Sequence, residues 1–172
     1  MIGGVGLVVR PSRMKEARRA LAVLSPKQFS TLAAVADTLC PGGDGFPSAW
    51  EVLVPEKVDA LLAAKAPADA DEFALVLDLV ESALVNAVLE QSPQTFSQSS
   101  DPRRARTLQS MAHSSLIERQ SMFVALRGLC CASYWSDPKV YVHTGYRGPP
   151  NFGNVGVANP IVARTPEPPE TP

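Results

Sequence analysis

Two histidines, three cysteines and one aromatic-rich stretch are the residues of this chain whose chemistry could exceed packing. His113 falls near the end of a predicted helix and His143 just after a short one. An imidazole that activates a nucleophile or moves a proton needs a nucleophile beside it and a third group to orient it. No Gly-x-Ser-x-Gly elbow, phosphate-binding loop or His-Glu-x-x-His pattern accompanies either histidine. Both are therefore read as surface or interface residues. The competing reading is a small helical enzyme in which His113 or His143 works with nearby carboxylates.

Cys40, Cys130 and Cys131 are too few and too badly spaced for a disulfide framework. Neighbouring residues on a helix point about 100° apart, so Cys130 and Cys131 do not converge on one metal. A structural zinc takes four ligands in paired spacings, and an iron–sulfur cluster usually takes four thiolates. No Cys-x-x-Cys-His run is present to attach a c-type haem. The cysteines are read as small buried apolar residues. Around Asp44 the alternating acidic ligands of a calcium loop are missing, and Gly4-Val5-Gly6 lacks the third glycine and the preceding strand of a dinucleotide-binding turn. The carboxylates read as solvent-facing, with Asp69, Asp71 and Glu72 at the positive end of a helix dipole. No catalytic, cofactor-binding or metal-ligating residue is assigned.

The stretch from Tyr134 onward is different. Tyr134-Trp135-Ser136-Asp137-Pro138, then Tyr141, His143 and Gly145-Tyr146-Arg147-Gly148-Pro149 place four aromatics and an arginine within sixteen positions. Tyr, Trp and Arg combine large apolar area with a polar tip and recur at interface hot spots. Tyr134, Trp135, Asp137, Tyr141, Tyr146 and Arg147 are the candidate partner contacts. The alternative is that these aromatics close one end of a helical bundle, and both can hold for different faces.

Composition narrows the class. With 172 residues the chain has the length of one domain, 45% hydrophobic and 19% charged. Its formal net charge is −1, and Arg103-Arg104-x-Arg106 is its densest charge cluster, so it lacks the basic stripe of a nucleic-acid binder. Its apolar runs fall far short of the roughly 20 residues of a membrane span.

The elements that must position these residues are all helical. Ser25-Pro26 supplies a hydroxyl N-cap and a proline at the first helical position. Phe29, Leu32, Ala33, Ala36 and Leu39 then share a face, and Pro41-Gly42-Gly43-Asp44-Gly45 stops the helix. A short helix from about residue 55 carries Val58, Leu61 and Leu62. A longer one, from 69 to about 91, carries Phe73, Leu77, Val80, Leu84 and Val88, widened by Val76, Ala83 and Ala87. A stripe that wide predicts the central helix of a bundle. Asp101-Pro102 repeats the cap-plus-proline signal. A fifth helix from about 116 to 134 is expected to bury Leu116, Phe123, Leu126 and Cys130, with Met122 and Leu129 beside them. Asp137-Pro138 nucleates a last turn. The expected architecture is all-α, a compact bundle of about five helices over residues 24–150. An N-terminal arm (1–23) and a Pro-rich tail (151–172), both expected to be disordered, flank it.

Three stretches resemble the gluconate 2-dehydrogenase small-subunit (subunit 3) family. The first is Leu24-Ser25-Pro26-Lys27-Gln28 through Leu32 and Asp37 to Leu39-Cys40-Pro41. The second is Gly45-Phe46-Pro47-Ser48-Ala49 with Val54 and Val58-Asp59-Ala60-Leu61-Leu62. The third, and most distinctive, joins Phe123 and Leu126-Arg127 to Tyr134-Trp135-Ser136-Asp137-Pro138 and Gly145-Tyr146-Arg147-Gly148-Pro149. The sequence departs from the family at Ser48, where glycine is frequent, and at Pro55, which interrupts the run into the second helix. Members often carry a twin-arginine export signal. Here Arg18-Arg19 meets the folded region almost at once, so the chain reads as cytoplasmic, or periplasmic if it travels with a signal-bearing partner.

The resemblance implies a subunit without a cofactor of its own, bound to a larger FAD-dependent flavoprotein. That partner would be similar to the glucose–methanol–choline oxidoreductases, which oxidise sugars or alcohols, often with a cytochrome c subunit accepting the electrons. The small subunit would serve maturation, stability or export of the catalytic one. An adaptor for an unrelated partner is the remaining reading.

Overall fold

A computed structural model describes residues 15–82 and 94–145. Among the described residues six helices follow in order, α1 (Pro26–Leu39), α2 (Val54–Ala63), α3 (Pro67–Glu81), α4 (Asp101–Ala112), α5 (Ile117–Trp135) and α6 (Pro138–Tyr141), then a 3-10 turn over Val142–Thr144. No strand occurs among the described residues; one isolated bridge joins Gly43 and Phe46. The architecture is all-α, as the sequence predicts.

The centre of the bundle is α1, where the sequence points to the third helix. Every residue from Phe29 through Ala36 is buried, and α1 packs against α2, α3, α4 and α5. The run Phe-Ser-Thr-Leu-Ala-Ala-Val-Ala explains the difference. Small side chains let neighbours approach on every side, and Ser30 and Thr31 are polar without excluding burial, because a hydroxyl can bond its own helix. Thr31 Oγ1 donates to the Lys27 carbonyl at 3.1 Å. Phe29, Leu32 and Val35 each contribute roughly 1.5–3 kcal/mol by leaving water. Ser25 caps the helix as expected: its hydroxyl accepts from Gln28 N at 3.3 Å, and Gln28 Oε1 accepts from Ser25 N at 3.0 Å.

Two helix boundaries and one buried position differ from expectation. α3 ends at Glu81, where Ser82 turns extended (φ −62°, ψ 117°), so the expected run to about 91 is not one continuous helix. Leu84 and Val88 lie outside the described residues. The Glu81 carboxylate is buried and accepts from Ser97 N at 2.9 Å and Ser97 Oγ at 2.6 Å, which fastens the end of α3 to the approach to α4. The N-cap of α4 is Ser100, and Asp101 occupies the first turn, where it suits the helix dipole and pairs with Arg104. Leu116, expected in the core, is the N-cap of α5 and 52% exposed. Leu126 and Cys130 are buried, and Phe123, Met122 and Leu129 pack half-buried against the core.

The described part of the expected N-terminal arm, residues 15–23, lies along the bundle. Asp59 of α2 accepts backbone N–H groups from Ala22 (2.6 Å), Val23 (3.1 Å) and Leu24 (2.9 Å), while Leu24 is buried. Arg18 N donates to Glu56 Oε1 at 3.2 Å. Lys15 pairs with Asp37, and the Lys15 ammonium and Arg18 guanidinium stand 4.8 and 4.6 Å from the Trp50 ring centroid. The expectation of uniformly solvent-facing carboxylates fails at Glu56, Asp59 and Glu81, all buried.

Candidate partner-binding end of the bundle

The loop between α1 and α2 builds one wall of this end. Gly42 has φ +79°, and a Cβ there would stand 2.7 Å from Ser48 N, so the turn excludes any side chain. The Gly43–Phe46 pair of backbone bonds, 3.0 and 2.9 Å, then tightens the loop. Ser48 uses its hydroxyl: Glu51 N donates to Ser48 Oγ at 3.3 Å, and Ser48 N donates to Glu51 Oε2 at 2.6 Å. The Ser48 amide and hydroxyl hold the Glu51 carboxyl below the usual carboxylate range.

The end of α5 supplies the other wall. Tyr134 is buried and its hydroxyl donates to the Pro47 carbonyl at 2.7 Å; burial pushes the phenol above its ordinary pKa. Trp135 is 49% exposed. Its ring meets Tyr134 edge-on at 5.3 Å (84°) and Phe46 at 6.2 Å (73°), and the His143 imidazole lies 5.3 Å from Phe46. Such pairs hold the indole in place while leaving half of it to solvent.

The candidate contacts therefore separate. Tyr134 closes the end of the bundle, and Trp135 stands half outside it. Asp137 is the N-cap of α6, accepting from Lys139 N at 2.8 Å, and it pairs with Lys57 of α2. Tyr141 is half-buried at the end of α6. Tyr146 and Arg147 lie outside the described residues. Phe46 belongs to the cluster although the sequence names it only within the second family-like stretch and not among the candidate contacts; its contacts with α5 and the 3-10 turn are long-range.

His113 is the exposed C-cap of α4, and His143 is exposed in the 3-10 turn. Among the described residues neither imidazole has a hydrogen-bonded carboxylate. No three His, Cys, Asp or Glu side chains are grouped to hold a metal among the described residues. The three cysteines are free thiols. Cys40 and Cys130 are buried, and Cys131 is half-buried. Burial, with the neighbouring Cys131, pushes the Cys40 thiol up to about 12, and burial raises Cys130 as well.

The described residues form an all-α bundle in which a half-exposed tryptophan sits on Phe46 and Tyr134. The family model for gluconate 2-dehydrogenase subunit 3 matches residues 26–148, and the chain belongs to that family of dehydrogenase-complex subunits. No curated protein and no solved structure matches the chain.

Proposed function

We propose that this chain is a non-catalytic accessory subunit. It docks on an FAD-dependent catalytic subunit of the glucose–methanol–choline type and supports that subunit's maturation, stability or export. The observation that carries the reading is Trp135: a family member of a dehydrogenase complex presents half an indole to solvent, held by Phe46 and Tyr134. A rigid aromatic loses little conformational freedom on docking, which suits an anchor. Tyr141, half-buried at the end of α6, extends the same contact. In this reading the flavin belongs to the partner, a cytochrome c subunit takes the electrons where one is present, and this chain holds neither group.

Co-expression tests the proposal. The flavoprotein should co-purify with this chain, and its soluble, active yield should fall when the chain is omitted, because binding stabilises the folded partner by mass action. The chain purified alone should show no flavin or haem absorbance. A flavoprotein equally soluble and active without it would overturn the accessory role.

A further inference from the structure

α3 and α5 each pack on α1 and α2, yet they leave a groove between themselves. The groove has a volume of about 620 Å³. Phe73, Val76 and Leu79 of α3 form one wall, and Ile117, Met122 and Leu129 of α5 form the other. Leu75 on its edge is 58% exposed and Ile117 is 67% exposed. Ile117 to Leu129 covers roughly 18 Å of helix, about three turns. Both walls present apolar side chains at helical spacing, the form in which a third helix is received.

The rim decides what kind of helix fits. Asp69 and Glu72 stand on one side and Glu118 on the other, and among the described residues Lys65 is the one basic residue lining the groove. A second copy of this chain, paired by two-fold symmetry through the groove, would set these acids against themselves. An anionic lipid surface would meet the same repulsion. A cationic partner would not.

We propose that this groove receives an amphipathic helix of a partner polypeptide, with Leu, Ile or Phe on its buried face and Lys or Arg along its flanks. The proposal rests on the subunit reading for the existence of a polypeptide partner, but it concerns a face distinct from the Trp135 end.

Peptide binding to the full chain tests it. The probes are two fluorescent three-turn synthetic helices with identical leucine faces, one flanked by lysines and one by glutamates. The lysine peptide should bind at least about tenfold more tightly, a difference of ~1.4 kcal/mol. Raising the salt concentration should shrink that difference. Ile117→Asp should abolish binding with an unchanged circular dichroism spectrum, and Glu72→Lys should narrow the preference between the peptides. Trp135→Ala should leave peptide binding intact while weakening the flavoprotein complex, so failure of either reading shows separately. Equal binding of the two peptides, no binding, or binding that survives Ile117→Asp would overturn the proposal. So would self-association of the chain that Ile117→Asp removes, since a second copy would then be the occupant.

Discussion

Tyr134 and Trp135 are neighbours in sequence with opposite environments: the Tyr134 hydroxyl is bonded to the Pro47 carbonyl at 2.7 Å inside the bundle, and the Trp135 ring beside it is 49% exposed. Consecutive residues on a helix point about 100° apart, so one pair of aromatics can both seal the bundle and face a partner. The two substitutions should therefore act on different quantities. Trp135→Ala should weaken the complex by ~2 kcal/mol or more, about thirtyfold, with the free subunit still folded. Tyr134→Phe should lower the free subunit's stability by about 1 kcal/mol through the lost hydrogen bond and change affinity much less. Titration calorimetry with the partner, alongside urea unfolding of the subunit alone, separates them.

Asp137 tests the difference between a contact residue and a residue that builds the contact. Its carboxylate caps α6 and pairs with Lys57. Asp137→Ala should lower stability by about 1 kcal/mol, mostly from the lost cap. Asp137→Asn should recover much of that loss, because an asparagine side chain also caps. An effect on partner affinity as large as that of Trp135→Ala, without destabilisation, would make Asp137 a direct contact.

Asp59 fastens the segment 15–24 by accepting three backbone N–H groups. Removing the carboxylate leaves those donors without their acceptor. Asp59→Ala should cost about 3 kcal/mol in chemical unfolding. Trypsin should cut faster after Arg18 and Arg19 in this variant. Unchanged cutting would mean that Trp50 and its two cations hold the segment without Asp59.

Gly42→Ala should destabilise the loop, since the backbone is left-handed there (φ +79°) and the new Cβ would stand 2.7 Å from Ser48 N. The loss should exceed the roughly 1 kcal/mol of the left-handed conformation alone. Gly43→Ala meets no atom within 4 Å of its Cβ, so its cost should come from the backbone alone, which has φ +116° there.

The cysteines predict a pH dependence. A thiol whose folded pKa is raised stays protonated in the folded chain while the unfolded chain loses its proton, so stability falls as pH rises. For Cys40 that fall begins near its ordinary value of 9.0 and continues toward about 12. Cys40→Ala should flatten the alkaline limb of the stability profile. In the native protein, half-buried Cys131 should react with a thiol reagent well before Cys40 and Cys130, which should become accessible on unfolding.

Local signals explain what could be read early. Ser25-Pro26 and Asp137-Pro138 start helices by interactions within a few residues, so both starts were legible. The helical spacing of Phe73, Leu77 and Val80 likewise marked the buried face of α3. The aromatic stretch announced a special end of the bundle, and the ordered motifs from Leu24 to Pro149 announced the family.

What the sequence by itself determined about this protein was its helical class, the starts of its main helices and its family. The tertiary structure decided which helix is central, which aromatic faces out and which acids are buried. The reason is range. Asp59 is buried because its acceptors' partners lie as many as 37 positions earlier, and Tyr134 is turned inward by a carbonyl 87 positions away. No window of periodicity spans such distances, and burying a carboxylate is tolerable only once those distant donors have been brought to it.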